Sequence, residues 1–174
     1  MSGMESKRTE EVDKIRQACR VVAEVLGRIA KEIRPGVATE DLDSLADNLI
    51  RERGGVPVFI GYRGYRHATC ISINNEIVHG IPGKRILCEG DIVGFDVGAK
   101  LDGYCGDAAT TWPVGRISAK ANKLLRAGKE ALAAAIKQVK VGNHLGDVSA
   151  AVERVALKNG FTVVSALYGH GIGR

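Results

Sequence analysis

The sequence predicts an α+β fold made of two copies of one helix–helix–sheet unit. Four segments carry apolar residues at the three- and four-residue spacings of helices, near residues 10–33, 41–53, 118–139 and 146–159. Between the second and third of these, the stretch 56–112 carries β-branched apolar runs and turn signals. The chain also repeats at a constant shift of 106 residues, since Gly36, Asp41 and Gly54 recur as Gly142, Asp147 and Gly160.

The first two helices have start and stop signals in the sequence. The first covers residues 10–33, with Thr9 as the expected N-cap and the Arg-Pro-Gly of residues 34–36 as its end. We expect its buried stripe to consist of Val12, Ile15, Cys19, Val22, Leu26, Ile29 and Ile33. The second helix runs from about Asp41 to Arg53, where two glycines stop it.

A β-hairpin is predicted in the middle of the chain, and the second unit follows it. GDIVGFDVGA and YCGDAATTWPV flank Asp102-Gly103, a dipeptide typical of two-residue hairpin turns. After the last helix, FTVVSAL is expected to form a short strand that leads to YGHGIGR. We therefore expect one domain over residues 1–174, with a first repeat at about 8–114 and a second at about 115–174 that is cut short.

Composition and charge narrow the class of protein. The chain has 174 residues, 45% of them hydrophobic and 26% charged, as is ordinary for a soluble globular domain. The polar N-terminus lacks the apolar core of a secretory signal, and no apolar run reaches the roughly 18–20 residues that span a bilayer. The four cysteines have no zinc-site spacing, so we expect reduced thiols and a cytoplasmic location. The net charge of +5 favours a solvated basic surface over an RNA-binding one, because there is no dense Lys/Arg run.

Two aspartates, Asp96 and Asp107, lie on either side of the predicted turn. With a two-residue loop, Leu101 pairs with Tyr104, and the two aspartates become diagonal neighbours on one face of the sheet. A four-residue loop would make them direct partners, and a three-residue loop would separate them. Carboxylates side by side repel each other, and desolvation strengthens the repulsion, whereas a cation between them removes it.

One or two divalent metal ions are therefore one hypothesis for this pair, since carboxylates with an added imidazole suit Mn, Fe, Co or Zn. The alternatives are that one aspartate is a turn or strand-end residue that accepts backbone N–H bonds, or that the pair is an acid–base dyad. His79, before a Gly-Ile-Pro turn, and His170, between glycines, are candidates for a neutral ligand, a proton shuttle or an oxyanion donor. A histidine near glycines is more often ordinary loop chemistry, and no role is assigned to His67 or His144.

The residues around these side chains resemble the type I methionine aminopeptidases. The matching stretches are GYRGY at 61–65, CISINNEIVHGIP at 70–82, the hairpin at 90–115 and YGHGIGR at 168–174. The resemblance runs from about residue 8 to Arg174, and HGIP is similar to the type I form rather than the type II form. It implies a single catalytic domain with the pita-bread fold, in which two pseudo-symmetric α/β halves surround a central antiparallel sheet.

The resemblance also implies roles for individual residues. Asp96 would bind one divalent metal ion through both oxygens, Asp107 would bridge two, and His170 would be the imidazole ligand. His79 would be the catalytic residue that contacts the substrate beside the scissile amide. The pocket for the methionine side chain would be lined by Tyr62, Tyr65 and Cys70. The implied reaction is the metal-dependent hydrolytic removal of an initiator methionine when the next residue is small.

The family pattern includes two glutamate ligands and one more substrate histidine, all downstream of the GHGIGR motif. Because this chain stops at Arg174, we expect poor metal affinity and weak or no catalysis from these 174 residues. A smaller departure is Cys105, where type I enzymes often have histidine.

Two alternative functions remain beside the first. One is a proline-specific relative with the same fold, against which HGIP and the pocket residues count. The other is a non-catalytic homologue that binds RNA or ribosomes, against which the intact visible ligands count. For the aminopeptidase we expect two divalent metal ions (Co, Mn, Fe or Zn) and nascent polypeptide N-termini as substrates. We also expect the protein to contact a ribosome surface and to have no membrane or specific DNA partner. The full-length protein is expected to be a monomer.

Overall fold

The computed structural model describes residues 6–174, which form α-helices and one antiparallel sheet. The chain divides into two units. The first runs as far as Arg116 and also includes Gly171–Arg174, and the second consists of Ile117–His170. No helix of the described chain is both long and apolar enough to cross a membrane.

The first unit is a four-stranded antiparallel sheet with two helices. Its elements are α1 (Thr9–Ile29), α2 (Thr39–Glu52), β1 (Val56–Pro57), a 3₁₀ turn (Tyr62–Gly64), β2 (Thr69–Ile73), β3 (Ile92–Leu101) and β4 (Tyr104–Pro113). β3 is the central strand, and the other three strands all pair with it. β4 pairs along one edge of β3, and β2 and β1 each pair with a different part of its other edge. Side chains alternate along β3, and those on the core side are fully buried: Val93, Phe95, Val97 and Ala99.

The face of α1 that packs on the sheet matches the expected stripe in part: Val22 and Ile29 are buried, and Leu26 and Ile33 pack against the core. Its buried residues are Glu11, Ala18, Val21, Val22, Val25 and Ile29, and the N-cap is Arg8 rather than Thr9. The expected stripe residue Val12 is instead 40% exposed. Gly106 in β4 accounts for this orientation, because a Cβ there would lie 2.6 Å from the carbonyl carbon of Ala18. The helix backbone therefore rests against a strand position that has no side chain.

The second unit repeats the helices of the first. α3 (Ala119–Ile136) packs against α4 (Leu145–Lys158), and the buried residues of the two helices are alanines. When α2 is shifted by 106 residues, it coincides with α4 at both ends. The flanking glycines keep the same left-handed backbone, with φ of +90° and +91° at Gly36 and Gly142 and of +74° and +75° at Gly54 and Gly160. The repeat inferred from the sequence is confirmed.

The segment FTVVSAL does not form the expected strand. Residues 161–167 are irregular and end in a turn, and the described part of the second unit contains no strand. An apolar, β-branched run has the side chains of a strand, but its backbone becomes one only where a neighbouring strand pairs with it.

One carboxylate is buried where α1 meets the hairpin. Glu11 is 7% exposed, and its Oε2 accepts the backbone N–H of Arg8 at 2.9 Å. Its Oε1 accepts the Tyr104 hydroxyl at 2.9 Å and the Arg174 guanidinium at 3.0 Å. These bonds, the Arg8 N–H first among them, lower the pKa of Glu11 to about 2. Glu11 thus joins α1, the start of β4 and Arg174 in one polar cluster.

Gly106→Ala should destabilise the protein, because the added Cβ would meet the backbone of α1 rather than a movable side chain. Overpacking of this kind costs about 1–3 kcal/mol of unfolding free energy. Gly27→Ala in the same helix is the matched control, since a Cβ there meets nothing within 4 Å. It should stabilise the helix by about 0.5–1 kcal/mol. Urea denaturation measures both values, and equal effects of the two substitutions would contradict the close contact.

Glu11 should make the stability depend on pH in the acid range. Its folded-state pKa of about 2 lies below the ordinary 4.5, so the ionised carboxylate stabilises the fold above about pH 4.5. That contribution is lost as the pH falls from about 4.5 to about 2. We expect Glu11→Gln to lower the urea midpoint at pH 7 and the gap from wild type to narrow over that window. The exposed Glu10→Gln is the control, and a gap independent of pH would refute the assignment.

Candidate active site

The β3–β4 hairpin sets the position of both aspartates. Asp102 and Gly103 form its two-residue turn, with φ of +48° and +83°, and Leu101 pairs with Tyr104. Asp107 then pairs with Gly98, and Asp96 pairs with Ala109. Because side chains alternate faces along a strand, the two aspartates are diagonal neighbours on one face. The hairpin therefore has a two-residue loop rather than one of three or four residues.

Cys70 lies on the same face of the sheet as the aspartates. It pairs directly with Asp96 across β2 and β3, and it is 8% exposed. The opposite face carries Gly106 and packs against α1. The sheet therefore separates a core side from a side that carries the candidate site.

Val58 and Phe59 cover the strand beside the aspartates, and sequence reasoning missed both. A Cβ built on Gly98 would lie 2.4 Å from Val58 Cγ2 and 3.2 Å from Phe59 Cε1. Gly98 points to the same face as Asp96, two residues away, so these half-buried apolar side chains lie over that face. The signal was available, since a glycine inside a strand often marks the close approach of another part of the chain.

Tyr65 and Cys70 form a neutral surface next to the carboxylates. The Tyr65 hydroxyl donates to the Thr69 carbonyl oxygen at 2.8 Å. Burial raises the pKa of Cys70, and the charges of Asp96, Asp43 and Asp107 raise it further, although a hydrogen bond from Tyr65 acts the other way. Burial likewise raises the pKa of Tyr65, with Cys70 contributing next. Both groups are therefore held in their uncharged forms.

Tyr62 is bonded to Tyr65 through the backbone, since its carbonyl oxygen accepts the Tyr65 N–H at 2.9 Å. It belongs to the 3₁₀ turn and is 66% exposed, and the Arg63 guanidinium lies 5.5 Å from its ring centre. Of the three residues expected to line the pocket, Tyr65 and Cys70 are brought together and Tyr62 remains at the surface.

His79 is presented by a backbone turn at the edge of β2. Its φ of +59° is uncommon for a residue with a side chain, and the side chain is exposed. The next residue, Gly80, is fixed to β2: its N–H donates to Ser72 Oγ at 3.0 Å, and its carbonyl accepts the Ile71 N–H at 2.8 Å. A Cβ on Gly80 would lie 2.2 Å from the Ile71 carbonyl oxygen, so only glycine fits there.

The hairpin places the two aspartate carboxylates on one face of the sheet. Carboxylates that share one face are hard oxygen ligands that suit divalent cations. Within residues 6–174, no three His, Cys, Asp or Glu side chains are grouped closely enough to hold an ion. His170 is exposed and is the last residue of the second unit. The chemistry of Asp96 and Asp107 therefore fits a divalent metal as two ligands of a larger set.

Asp43 and His67, to which the sequence analysis gave no role, lie behind the Tyr65–Cys70 surface. Asp43 Oδ2 is 3.3 Å from His67 Nδ1, and the His67 ring meets the Tyr65 ring edge-on at 5.6 Å. No local sequence signal pairs them, because 24 residues separate the two partners.

The curated proteins that this chain resembles include several methionine aminopeptidases. The methionine aminopeptidase 1 of Bacillus subtilis is 42% identical over 168 residues, which are 97% of this chain and 68% of that protein. The methionine aminopeptidase of Aquifex aeolicus is 45% identical over 94% of this chain and 66% of its own length. The chain thus spans about two thirds of the length of these relatives.

Solved structures and a family profile agree with this result. The crystal structure of methionine aminopeptidase from Thermotoga maritima superposes with a TM-score of 0.96 at 40% identity, over 98% of this chain and 69% of that one. The prolidase from Pyrococcus furiosus superposes at 0.83 with 22% identity over 96% and 48%, a likeness of fold alone. The α+β pita-bread fold is confirmed. Residues 13–174 match the profile described as Metallopeptidase family M24, and the chain belongs to that family.

Proposed function

We propose that the protein removes the N-terminal methionine from nascent polypeptides whose second residue is small, with residues 1–174 in a single catalytic domain. The observation that carries the proposal is the shared sheet face on which Asp96 and Asp107 lie beside Cys70. The names of the relatives at about 40% identity support the same activity. The proline-specific relatives share only the fold at 22% identity, so methionine is the better supported substrate.

In this proposal Asp96, Asp107 and His170 hold two divalent metal ions drawn from Co, Mn, Fe and Zn. Such ions, when bound, polarise a substrate carbonyl and lower the pKa of water. The two carboxylates balance the charge of the cations, and their fixed place in a paired hairpin keeps their spacing constant. The free α-amine of a substrate would be a further ligand for such an ion, which would restrict cleavage to the N-terminus.

The first substrate side chain would contact Tyr65 and Cys70, with Tyr62 at the rim. Because Tyr65 and Cys70 are uncharged, this surface suits an apolar side chain with a polarisable sulfur. Val58 and Phe59, which lie over the adjacent strand, extend the apolar surface toward the aspartates. The pocket would therefore accept methionine and disfavour a charged residue.

His79 would contact the substrate near the scissile amide as the catalytic residue. A neutral imidazole can donate a hydrogen bond from one nitrogen and accept a proton at the other. The hydrogen bonds of Gly80 to β2 fix where the backbone of His79 lies. We further propose that the protein works as a cytoplasmic monomer near the ribosome surface, where nascent N-termini emerge.

Asp96→Asn should weaken binding of Mn²⁺ at least about 100-fold, because even outer-shell losses cost 10–100-fold. Isothermal titration measures the affinity, and far-UV circular dichroism should show the helices unchanged. Asp102→Asn is the matched control in the same hairpin, since asparagine tolerates its positive φ. Equal affinity for the ion in Asp96→Asn and wild type would rule out the shared-face metal site.

In a form of the protein that covers the full length of its relatives, His79→Ala should lower kcat for release of methionine from Met-Ala-Ser by about 10²–10⁴-fold, with Mn²⁺ binding unchanged. The exposed Lys84→Ala, five residues further along the chain, is the control. Removal of the metal with a chelator should abolish release, and Pro-Ala-Ser should not be cleaved. A metal-loaded protein that cleaves the proline peptide but not the methionine peptide would overturn the proposed substrate.

A further inference from the structure

Asp43 reaches from α2 to the first residue of β2. Its Oδ1 accepts the Thr69 backbone N–H at 2.8 Å and the Thr69 hydroxyl at 2.6 Å, and its Oδ2 contacts His67. Thr69 is 0% exposed, and the Asp43 side chain is 13% exposed. Because water cannot replace these bonds at a buried residue, the carboxylate is what satisfies both donors of Thr69.

The backbone carbonyl of Thr69 is also bonded by a side chain. The carbonyl oxygen accepts the Tyr65 hydroxyl at 2.8 Å, and the Tyr65 ring meets the His67 ring edge-on. The short loop from Tyr65 to Thr69 is therefore closed by side-chain contacts at both ends and in its middle. Cys70 is the next residue in the chain, and the β2–β3 pairing that places it opposite Asp96 begins at Thr69, where this loop ends.

We infer that Asp43, assisted by His67, is a positioning residue that holds the Tyr65–Cys70 surface at a fixed distance from Asp96. The contact itself follows from the geometry of the first unit. Its value for selecting methionine rests on the proposed function. The substrate that the positioned Tyr65–Cys70 surface would bind is an N-terminal residue with an unbranched, apolar, sulfur-containing side chain.

The test is the rate at which iodoacetamide alkylates each cysteine, resolved by mass spectrometry on the 174-residue chain. Cys70 is buried, Cys19 and Cys105 are half-buried, and Cys88 is exposed, so three thiols serve as internal references. In Asp43→Ala we expect alkylation of Cys70 to rise at least tenfold while the other rates stay constant. Asp43→Asn removes the same charge, which raises the pKa of Cys70 in wild type, but it keeps an oxygen that can accept from Thr69. The excess of the Cys70 rate in Asp43→Ala over that in Asp43→Asn therefore reports the lost contact. The exposed Asp41→Ala in the same helix should match wild type.

Two results would overturn the inference. One is a Cys70 rate in Asp43→Ala that does not exceed the rate in Asp43→Asn. The other is a parallel rise at Cys19 and Cys105, which would mean general destabilisation rather than local release. Neither result requires metal or turnover, so the contact is judged independently of the proposed aminopeptidase activity.

The role of the pocket is tested separately with L-methionine as the probe, in the presence of Mn²⁺. Methionine should slow alkylation of Cys70 in wild type and lose that effect in Asp43→Ala, whereas L-lysine should protect neither. If methionine fails to protect wild type while Asp43→Ala still releases Cys70, the assignment of the methionine pocket fails and the positioning contact stands. Protection that is equal in wild type and Asp43→Ala would show that the contact does not shape the pocket.

Discussion

The register of the β3–β4 hairpin is the constraint on which the first unit depends. Both turn residues have positive φ, which matches the twist of the flanking strands and fixes a two-residue loop. A slip of one residue would turn every side chain to the other face. Asp107 would then point at the backbone of Ala18 in α1, where Gly106 now lies, and an ionised carboxylate would be buried without a partner. The close approach of α1 and the shared face of the aspartates are thus two consequences of one turn.

The polar cluster around Glu11 secures the same hairpin at its turn end. Tyr104 is the first residue after the turn, and its hydroxyl bonds to a carboxylate on α1 and to Arg174. The Cys105 N–H also donates to the Gly173 carbonyl oxygen at 2.7 Å. Gly171–Arg174 therefore belongs to the first unit by direct bonds, although it follows the second unit in sequence.

The sequence predicts those features that depend on neighbours along the chain. Helical periodicity and glycine stops locate α2 and α4 to within two residues, and the Asp-Gly turn predicts the hairpin register. Features that depend on distant contacts were missed. The buried stripe of α1 is set by Gly106, which lies far along the chain, and FTVVSAL lacks the paired neighbour that would make it a strand.

The same limit explains which parts of the candidate site were predicted. Asp96 and Asp107 share a face because of local pairing, so the alternation of one hairpin is enough to find them. Val58 and Asp43 reach the site from a loop and a helix whose positions only the packed fold determines. His67 looks like a loop residue in sequence, and its role appears only when α2 brings Asp43 beside it.

The placement of charge on the sheet gives the proposed chemistry its selectivity. Cys70 and Asp96 are direct cross-strand partners, so a neutral surface and a carboxylate lie one pair spacing apart, at about 4.5–5.5 Å between Cβ atoms. A ligand that spans this distance places an apolar group on Cys70 and a metal-binding group near Asp96. An N-terminal methionine does so, because its side chain and its free α-amine leave the same carbon, whereas an internal methionine has no free amine there. In the proposed function, the restriction to chain ends therefore follows from strand pairing together with metal binding.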